Sequence, residues 1–133
     1  MSFGFPTETV KEGRASVSVP RLKTLAKKPG EYVLSKAPVF YNPRMEVNRD
    51  LAVLALQVYQ RMVNRKLSVS EPLTGCGIRG IRLAREVEGV DKVVINDISP
   101  EAAKLAKFNV KNNKLAKQVD VFNEDANFFL SKY

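Results

Sequence analysis

The stretch Leu67-Ser68-Val69-Ser70-Glu71-Pro72-Leu73-Thr74-Gly75-Cys76-Gly77-Ile78-Arg79-Gly80-Ile81-Arg82 decides the fold. Leu67 and Val69 form a short apolar run that reads as a buried strand, with Glu71 at its carboxyl end. Three glycines follow with the spacing G-x-G-x-x-G, and Ile81, Leu83, Ala84 and Val87 then open a helical pattern. Strand, glycine turn and helix in that order is the context in which such a motif carries meaning. Gly75 and Gly77 permit a tight turn and let a ligand touch bare backbone. Gly80 lets the helix lie close to the strand.

Working outward, Lys92-Val93-Val94-Ile95-Asn96-Asp97 reads as the next strand, and Asp97 lies 20 residues after Gly77. A carboxylate at that distance, on the tip of the following strand, can accept both hydroxyls of a ribose. The plainer reading is a βαβ turn with an exposed acid. Motif, order and distance together favour a nucleoside site. Gln118 to Asn123 reads as a third strand, and Asp125 follows it. Asp125 can also cap the helix that Phe128, Phe129 and Leu130 begin, and the two roles are compatible.

Three acids at successive strand ends around a glycine loop select among nucleoside cofactors. Asp97 would hold the ribose. Asp125 would accept from an adenine amino group, with the amide of Ala126 beside it. A dinucleotide would set its pyrophosphate over the glycine turn, where Glu71 repels it. S-adenosylmethionine has no phosphate and a cationic sulfur, so Glu71 and the loop formed by Gly75 and Gly77 can meet its methionine end.

Composition narrows the class. The 133 residues suffice for one domain with one core. No apolar run approaches the roughly 18 residues of a membrane span. The start, Met1 to Pro6, lacks the pattern of a signal peptide. The single cysteine, Cys76, excludes an internal disulfide and fits a reducing, cytoplasmic setting. The absence of histidine removes serine triads, histidine bases and most metal sites, so no metal is expected. A net charge of +8 favours a polyanionic partner, nucleic acid first, over a merely solvated lysine-rich surface.

Before the central unit, Thr7 to Val10 and Ala15 to Val19 flank Lys11-Glu12-Gly13-Arg14 and read as a small hairpin. Ala15, Val17 and Val19 alternate with Ser16 and Ser18, which buries one face. Arg21 to Lys36 carries five basic residues against Glu31 and is expected on the surface, in contact with phosphates or simply solvated. In Ala37-Pro38-Val39-Phe40-Tyr41-Asn42-Pro43-Arg44-Met45, two prolines bracket two aromatics that either stack on a base or anchor the core. Asn42 can cap a helix with Pro43 at its first position. That helix runs to about Asn64, with Leu51, Leu54, Ala55, Val58, Tyr59 and Met62 as its apolar stripe. Arg49, near its start, pairs locally or faces a ligand carboxylate. Ser99-Pro100-Glu101 starts a further helix to about Asn112.

The elements Pro38-Val39-Phe40-Tyr41-Asn42-Pro43-Arg44-Met45, Asn48-Arg49-Asp50, Gly77-Ile78-Arg79-Gly80-Ile81-Arg82, Asn96-Asp97-Ile98-Ser99 and Asp125-Ala126-Asn127 resemble the archaeal and eukaryotic tRNA (guanine-N2) dimethyltransferases. Order and spacing match from about Val10 onward. The resemblance implies methyl transfer from S-adenosylmethionine to the exocyclic amine of guanine 26 in tRNA. It implies cofactor roles for Arg49, Arg79, Asp97, Asp125 and Ala126, and makes Phe40 a wall of the guanine pocket. The family more usually has Asp at the position of Glu71 and Ala-Thr-Gly in place of Gly75-Cys76-Gly77. It continues into a fourth strand with an Asp-Pro-Phe-Gly type motif that binds the target amine, and then a tRNA-binding domain. No Asp-Pro dipeptide occurs here. Asn42-Pro43-Arg44 lacks the second proline and the aromatic of an Asn-Pro-Pro-Tyr motif, so it is a poor substitute. The expectation is therefore a cofactor-binding portion that is inactive in isolation and is completed by a second polypeptide or a missing half. The alternative is a non-catalytic binding module derived from the family.

The predicted fold is α/β, a Rossmann-like half-sheet of parallel strands in order 3-2-1. Residues 1–48 give the hairpin and the basic and aromatic segment, and residues 49–133 the cofactor-binding part, within a single domain.

Overall fold

The computed structural model describes residues 2–24 and 34–133. Much of the basic Arg21–Lys36 segment, Lys27, Lys28 and Glu31 included, lies outside the described residues. Strands β1 (Thr7–Glu12) and β2 (Ala15–Pro20) pair antiparallel, with Glu12 opposite Ala15 and Gly13 at φ +54° in the turn. The alternation in β2 does what its pattern predicts: Ala15, Val17 and Val19 are buried, each 1% exposed.

A helix covers the other edge of β2. Helix α3 (Pro100–Asn112) and the residue after it present Asn109 and Asn113 to the strand. Asn109 accepts from the Ser18 amide at 2.8 Å and donates to its carbonyl at 2.9 Å. Asn113 does the same for Ser16, at 3.2 and 2.8 Å. Two side-chain amides four residues apart on the helix thus stand in for a neighbouring strand. They satisfy edge groups that burial would otherwise leave unpaired.

Strands β3 (Leu67–Glu71), β4 (Val90–Asn96) and β5 (Val119–Phe122) form a parallel sheet with β4 in the centre. Val69 faces Val93, and Val93 faces Val119. This is the expected 3-2-1 order, with α2 (Ile78–Glu86) and α3 as the crossovers. The core lies between the sheet, these helices and the hairpin, around Ile81, Val93, Ile95, Leu105 and Ala106. Gly80 has the role its spacing suggests: a β-carbon there would lie 2.5 Å from Ile95 Cγ2. Ser99 caps α3, accepting from Ala102 N, with Pro100 following it.

The first helix departs from expectation. Asn42 caps a single 3-10 turn, Pro43–Met45, accepting from Arg44 N at 3.0 Å, and α1 (Glu46–Val63) follows. The stripe Leu51, Leu54, Val58, Tyr59 and Met62 faces solvent, from 47% exposed at Tyr59 to 78% at Met62. The inward side of α1 carries Val53, Leu56, Val63 and the buried Arg49. Periodicity identifies an apolar face and does not say which neighbour covers it. Among the described residues no helix is long and apolar enough to cross a membrane.

Candidate functional site

Parallel strands end together, so the carboxyl ends of β3, β4 and β5 bring Glu71, Asp97 and Asp125 to one rim. Asn96, fully buried, fastens that rim. Its Nδ2 donates to Pro72 O at 3.1 Å and Glu124 O at 3.0 Å, and its Oδ1 accepts from Glu124 N at 2.9 Å.

Each acid is turned towards backbone. Asp97 Oδ2 accepts from Gly75 N at 2.8 Å and Oδ1 from Ser99 N at 3.0 Å, so Asp97 ties the glycine loop to the start of α3. Asp125 is exposed and caps α4 (Ala126–Leu130), accepting from Asn127 N and Phe128 N. Ala126 begins that helix beside it. Glu71 is buried and its Oε2 accepts from Thr74 Oγ1 at 2.7 Å and Gly80 N at 3.0 Å. Burial pushes the Glu71 carboxyl up to about 7, against the pull of Thr74, Arg79 and the Gly80 amide.

A cavity opens beside Glu71, with Phe40, Asn42, Arg49 and Arg79 among its walls. Arg79 Nε is buried without a hydrogen-bond partner and lies 4.0 Å from Glu71 Oε1. A buried unsatisfied guanidinium donor is costly and marks a place where an acceptor belongs. The two aromatics divide: Tyr41 is buried and Phe40 is 53% exposed at the cavity. Gly75 and Gly77 sit at φ +56° and +85°, the turn conformation their spacing implies. Gly75 is also needed for a backbone approach, since a β-carbon there would lie 2.7 Å from the Phe40 carbonyl oxygen.

Arg49 is the residue whose surroundings the sequence left least visible. It is 3% exposed and grips Glu12, 37 residues earlier, by Nε at 2.6 Å and Nη2 at 2.8 Å. Nη2 also reaches Asn42 O at 3.1 Å. Arg82 Nη1 joins the same carboxylate at 3.1 Å and Asp50 at 2.6 Å, while its Nε meets Glu86 at 2.8 Å. Glu12 thereby binds the hairpin to α1 and α2 at once. Arg49 still borders the cavity.

Residues 13–133 match a family model for N2,N2-dimethylguanosine tRNA methyltransferases. The chain belongs to that family. A tRNA (guanine(26)-N(2))-dimethyltransferase of Methanobrevibacter smithii is 40% identical over 126 residues, covering 95% of this chain and 30% of the relative. A tRNA (guanine(26)-N(2)/guanine(27)-N(2))-dimethyltransferase of Aquifex aeolicus is 42% identical, covering 94% of this chain and 30% of the relative. Trm1 from Pyrococcus horikoshii, solved with S-adenosyl-L-methionine, superposes with a TM-score of 0.74 at 32% identity, over 94% of this chain and 32% of that one. The chain thus spans about 30% of the length of the curated relatives it matches.

Of the residues the sequence singles out, the structure gathers Phe40, Arg49, Glu71 and Arg79 at one cavity and sets Asp97 and Asp125 on the adjoining rim. Sequence reasoning passed over Thr74, whose hydroxyl fixes Glu71, and Asn96, which fastens the strand ends. A hydroxyl within the glycine loop and an amide before the strand-tip acid are the signals that could have found them.

Proposed function

We propose that this chain holds S-adenosylmethionine across the rim of its sheet and is the cofactor-binding part of a tRNA guanine-N2 methyltransferase. The observation that carries the proposal is the cavity in which Arg79 leaves a buried donor unsatisfied next to Glu71, one loop away from Asp97. When bound, the cofactor supplies an electrophilic methyl group on a cationic sulfur. Arg79 offers its donor to a carboxylate, and Arg49, held by Glu12, adds positive potential at the same wall. Glu71 tolerates a cation and repels phosphate. Asp97 accepts from ribose hydroxyls with the lone pairs its two backbone contacts leave over, and Asp125 and the Ala126 amide receive the base. Gly75 and Gly77 supply the turn. Phe40 offers an exposed ring face for a guanine to stack on.

The acceptor amine needs a partner of its own. The lone pair of a guanine N2 is delocalised into the ring, and attack on a methyl group leaves charge and a proton to be taken up. Glu71 is engaged by Thr74, Gly80 and Arg79, Asp97 gives its spare lone pairs to the ribose, and Asp125 caps α4 and receives the base, so none is left to serve as that partner. The acceptor is proposed to come from a further segment or a second polypeptide. The 133-residue chain alone is then expected to give no N2-methylguanosine with tRNA and labelled cofactor. A chain carrying the remaining length found in the relatives is expected to give it. The alternative, a binding module without catalysis, predicts that such completion restores nothing. The substrate sets the cytoplasm as the compartment, in keeping with the buried free thiol of Cys76.

Asp97→Ala is the direct test. Loss of charge-assisted hydrogen bonds to a ribose weakens cofactor binding at least about tenfold by calorimetry. Equal affinity in the two proteins would remove Asp97 from the site.

A further inference from the structure

The net charge of +8 is unevenly spread. Elsewhere, three exposed or half-exposed lysines meet carboxylates: Lys66 with Asp91, Lys92 with Asp120 and Lys132 with Glu124. The outer face of α3 and the turn of the hairpin form no such pairs among the described residues. Lys104, Lys107 and Lys111 line a hollow around Phe108 on α3. Lys11, Arg14, Arg85 and Lys114 line a second hollow, which shares Asn112 with the first. All seven side chains are exposed, and none makes a salt bridge among the described residues. Among the described residues Lys104 Nζ meets the Ser2 carbonyl and the Phe3 ring, and Arg85 meets the Asn113 carbonyl. Glu86, which meets the hairpin turn, is already held by Arg82 and the Arg14 amide.

Seven cations on adjoining hollows repel one another unless a polyanion lies across them. The spacing suits a phosphate chain. Lys104, Lys107 and Lys111 follow α3 for about 10 Å at about 1.5 Å per residue, and Lys114 lies just past the helix end. The strip starts near the cofactor rim, where Ser99 caps α3 beside Asp97, and ends against the hairpin strand at Ser16. It carries lysines and arginines with one half-buried phenylalanine, a composition that fixes a backbone without reading bases. We infer that the α3 and hairpin face is a track for tRNA phosphates, along which the body of the tRNA lies while its target nucleotide reaches the rim. This inference deepens the proposed function and rests on it for the identity of the polyanion.

The test is a triple charge reversal, K107E/K111E/K114E, none of whose positions borders the cofactor cavity. Three measurements are made on it and on the unaltered chain: thermal unfolding, cofactor affinity by calorimetry, and affinity for a tRNA transcript by fluorescence anisotropy across salt concentration. The inference expects unchanged unfolding and cofactor affinity, a tRNA affinity at least about tenfold weaker, and a salt slope flatter by about 2 to 3 as three phosphate contacts are lost. A reversal at Lys66, Lys92 and Lys132 serves as the control and should leave the tRNA affinity within about twofold. Equal losses from the two triples, or no loss from either, overturn the track. So does an unaltered chain that binds the cofactor but not tRNA, or that prefers phosphatidylserine vesicles to tRNA. A chain that binds no cofactor defeats the proposed function itself, whatever the charge reversal does to RNA.

Discussion

Glu12→Ala removes the carboxylate at which hairpin, α1 and α2 meet. Glu12 is 2% exposed, and Arg49 and Arg82 are 3% exposed each, so the change leaves two buried guanidinium groups short of a partner. The two are not equally harmed. Arg82 keeps Asp50 at 2.6 Å and Glu86 at 2.8 Å. Arg49 loses both of its charged bonds and retains one hydrogen bond, to the Asn42 carbonyl at 3.1 Å, and the face of the Tyr41 ring. The cost therefore centres on Arg49. Breaking a buried pair by deleting one partner costs about 3–5 kcal/mol. Domains are stable by only about 5–15 kcal/mol. We expect a loss of about 4 kcal/mol in urea unfolding followed by circular dichroism. In thermal scans this is a fall of about 15 °C. Glu12→Gln keeps an acceptor without the charge and should lose about half as much. The double variant Glu12→Ala/Arg49→Met isolates the cause, because removing both charges together is often nearly neutral. It should recover most of the loss. A single-variant loss under about 1 kcal/mol, or a double variant no better than the single, would refute the view that an unpaired buried charge is what Glu12 prevents.

Glu71 sets a pH dependence. Its carboxyl is pushed from the ordinary range up to about 7 by burial, so the fold favours the protonated form. The resulting stability is fully present below about pH 4.5 and is lost as pH rises through about 7, a change of about 3 kcal/mol. Glu71→Gln should flatten that slope and exceed the parent in stability at pH 8; parallel profiles for the two proteins would count against it. Gly80→Ala should lose about 1–3 kcal/mol, because its β-carbon meets the fully buried Ile95, and this outweighs a gain in helix propensity of about 1 kcal/mol. Gly75→Ala combines a left-handed backbone with a clash on the Phe40 carbonyl and should weaken both folding and cofactor affinity. Asn109→Leu leaves the Ser18 amide and carbonyl and the Cys76 carbonyl unpaired, and hydrogen exchange at Ser18 should speed up while β4 stays protected.

What the sequence made legible was local. A strand, a turn of left-handed glycines and a helix are set by neighbours a few residues apart, so the sheet order, the α3 cap and the roles of Gly77 and Gly80 could be read from spacing. Asp97 and Asp125 were legible for the same reason, since a strand-tip acid needs only the strand to be found. The Arg49 contact was hidden because its partner lies in another element, and nothing in Lys11-Glu12-Gly13 distinguishes a buried acid from a turn acid. The outward face of α1 was misleading because periodicity reports that a helix is two-sided, while the neighbour that covers a side is a tertiary fact. Phe40 and Tyr41 are adjacent and similar in chemistry. Only the path of the chain leaves one ring exposed and buries the other, although both border the cavity.

The hidden contact bears on the site. The cavity has two walls of different origin: the Phe40–Arg49 segment leading into α1, and the glycine loop leading into α2. Few sheet hydrogen bonds connect these walls, since α1 precedes β3 and lies outside the parallel ladder. Glu12 holds Arg49 from the first wall and Arg82 from the helix behind the second, and Tyr41 Oη reaches it at 3.4 Å. Asn109 holds the same hairpin to the Cys76 carbonyl within the loop. The hairpin, which carries no residue of the cavity lining, thus fixes the distance between the two walls through charges and amides in its buried face. A ligand that bridges Arg49 and Arg79 has to match that distance. Loosening the hairpin should therefore lower ligand affinity even where the fold survives, and Glu12→Gln, at a temperature well below its transition, is the variant in which the two effects separate.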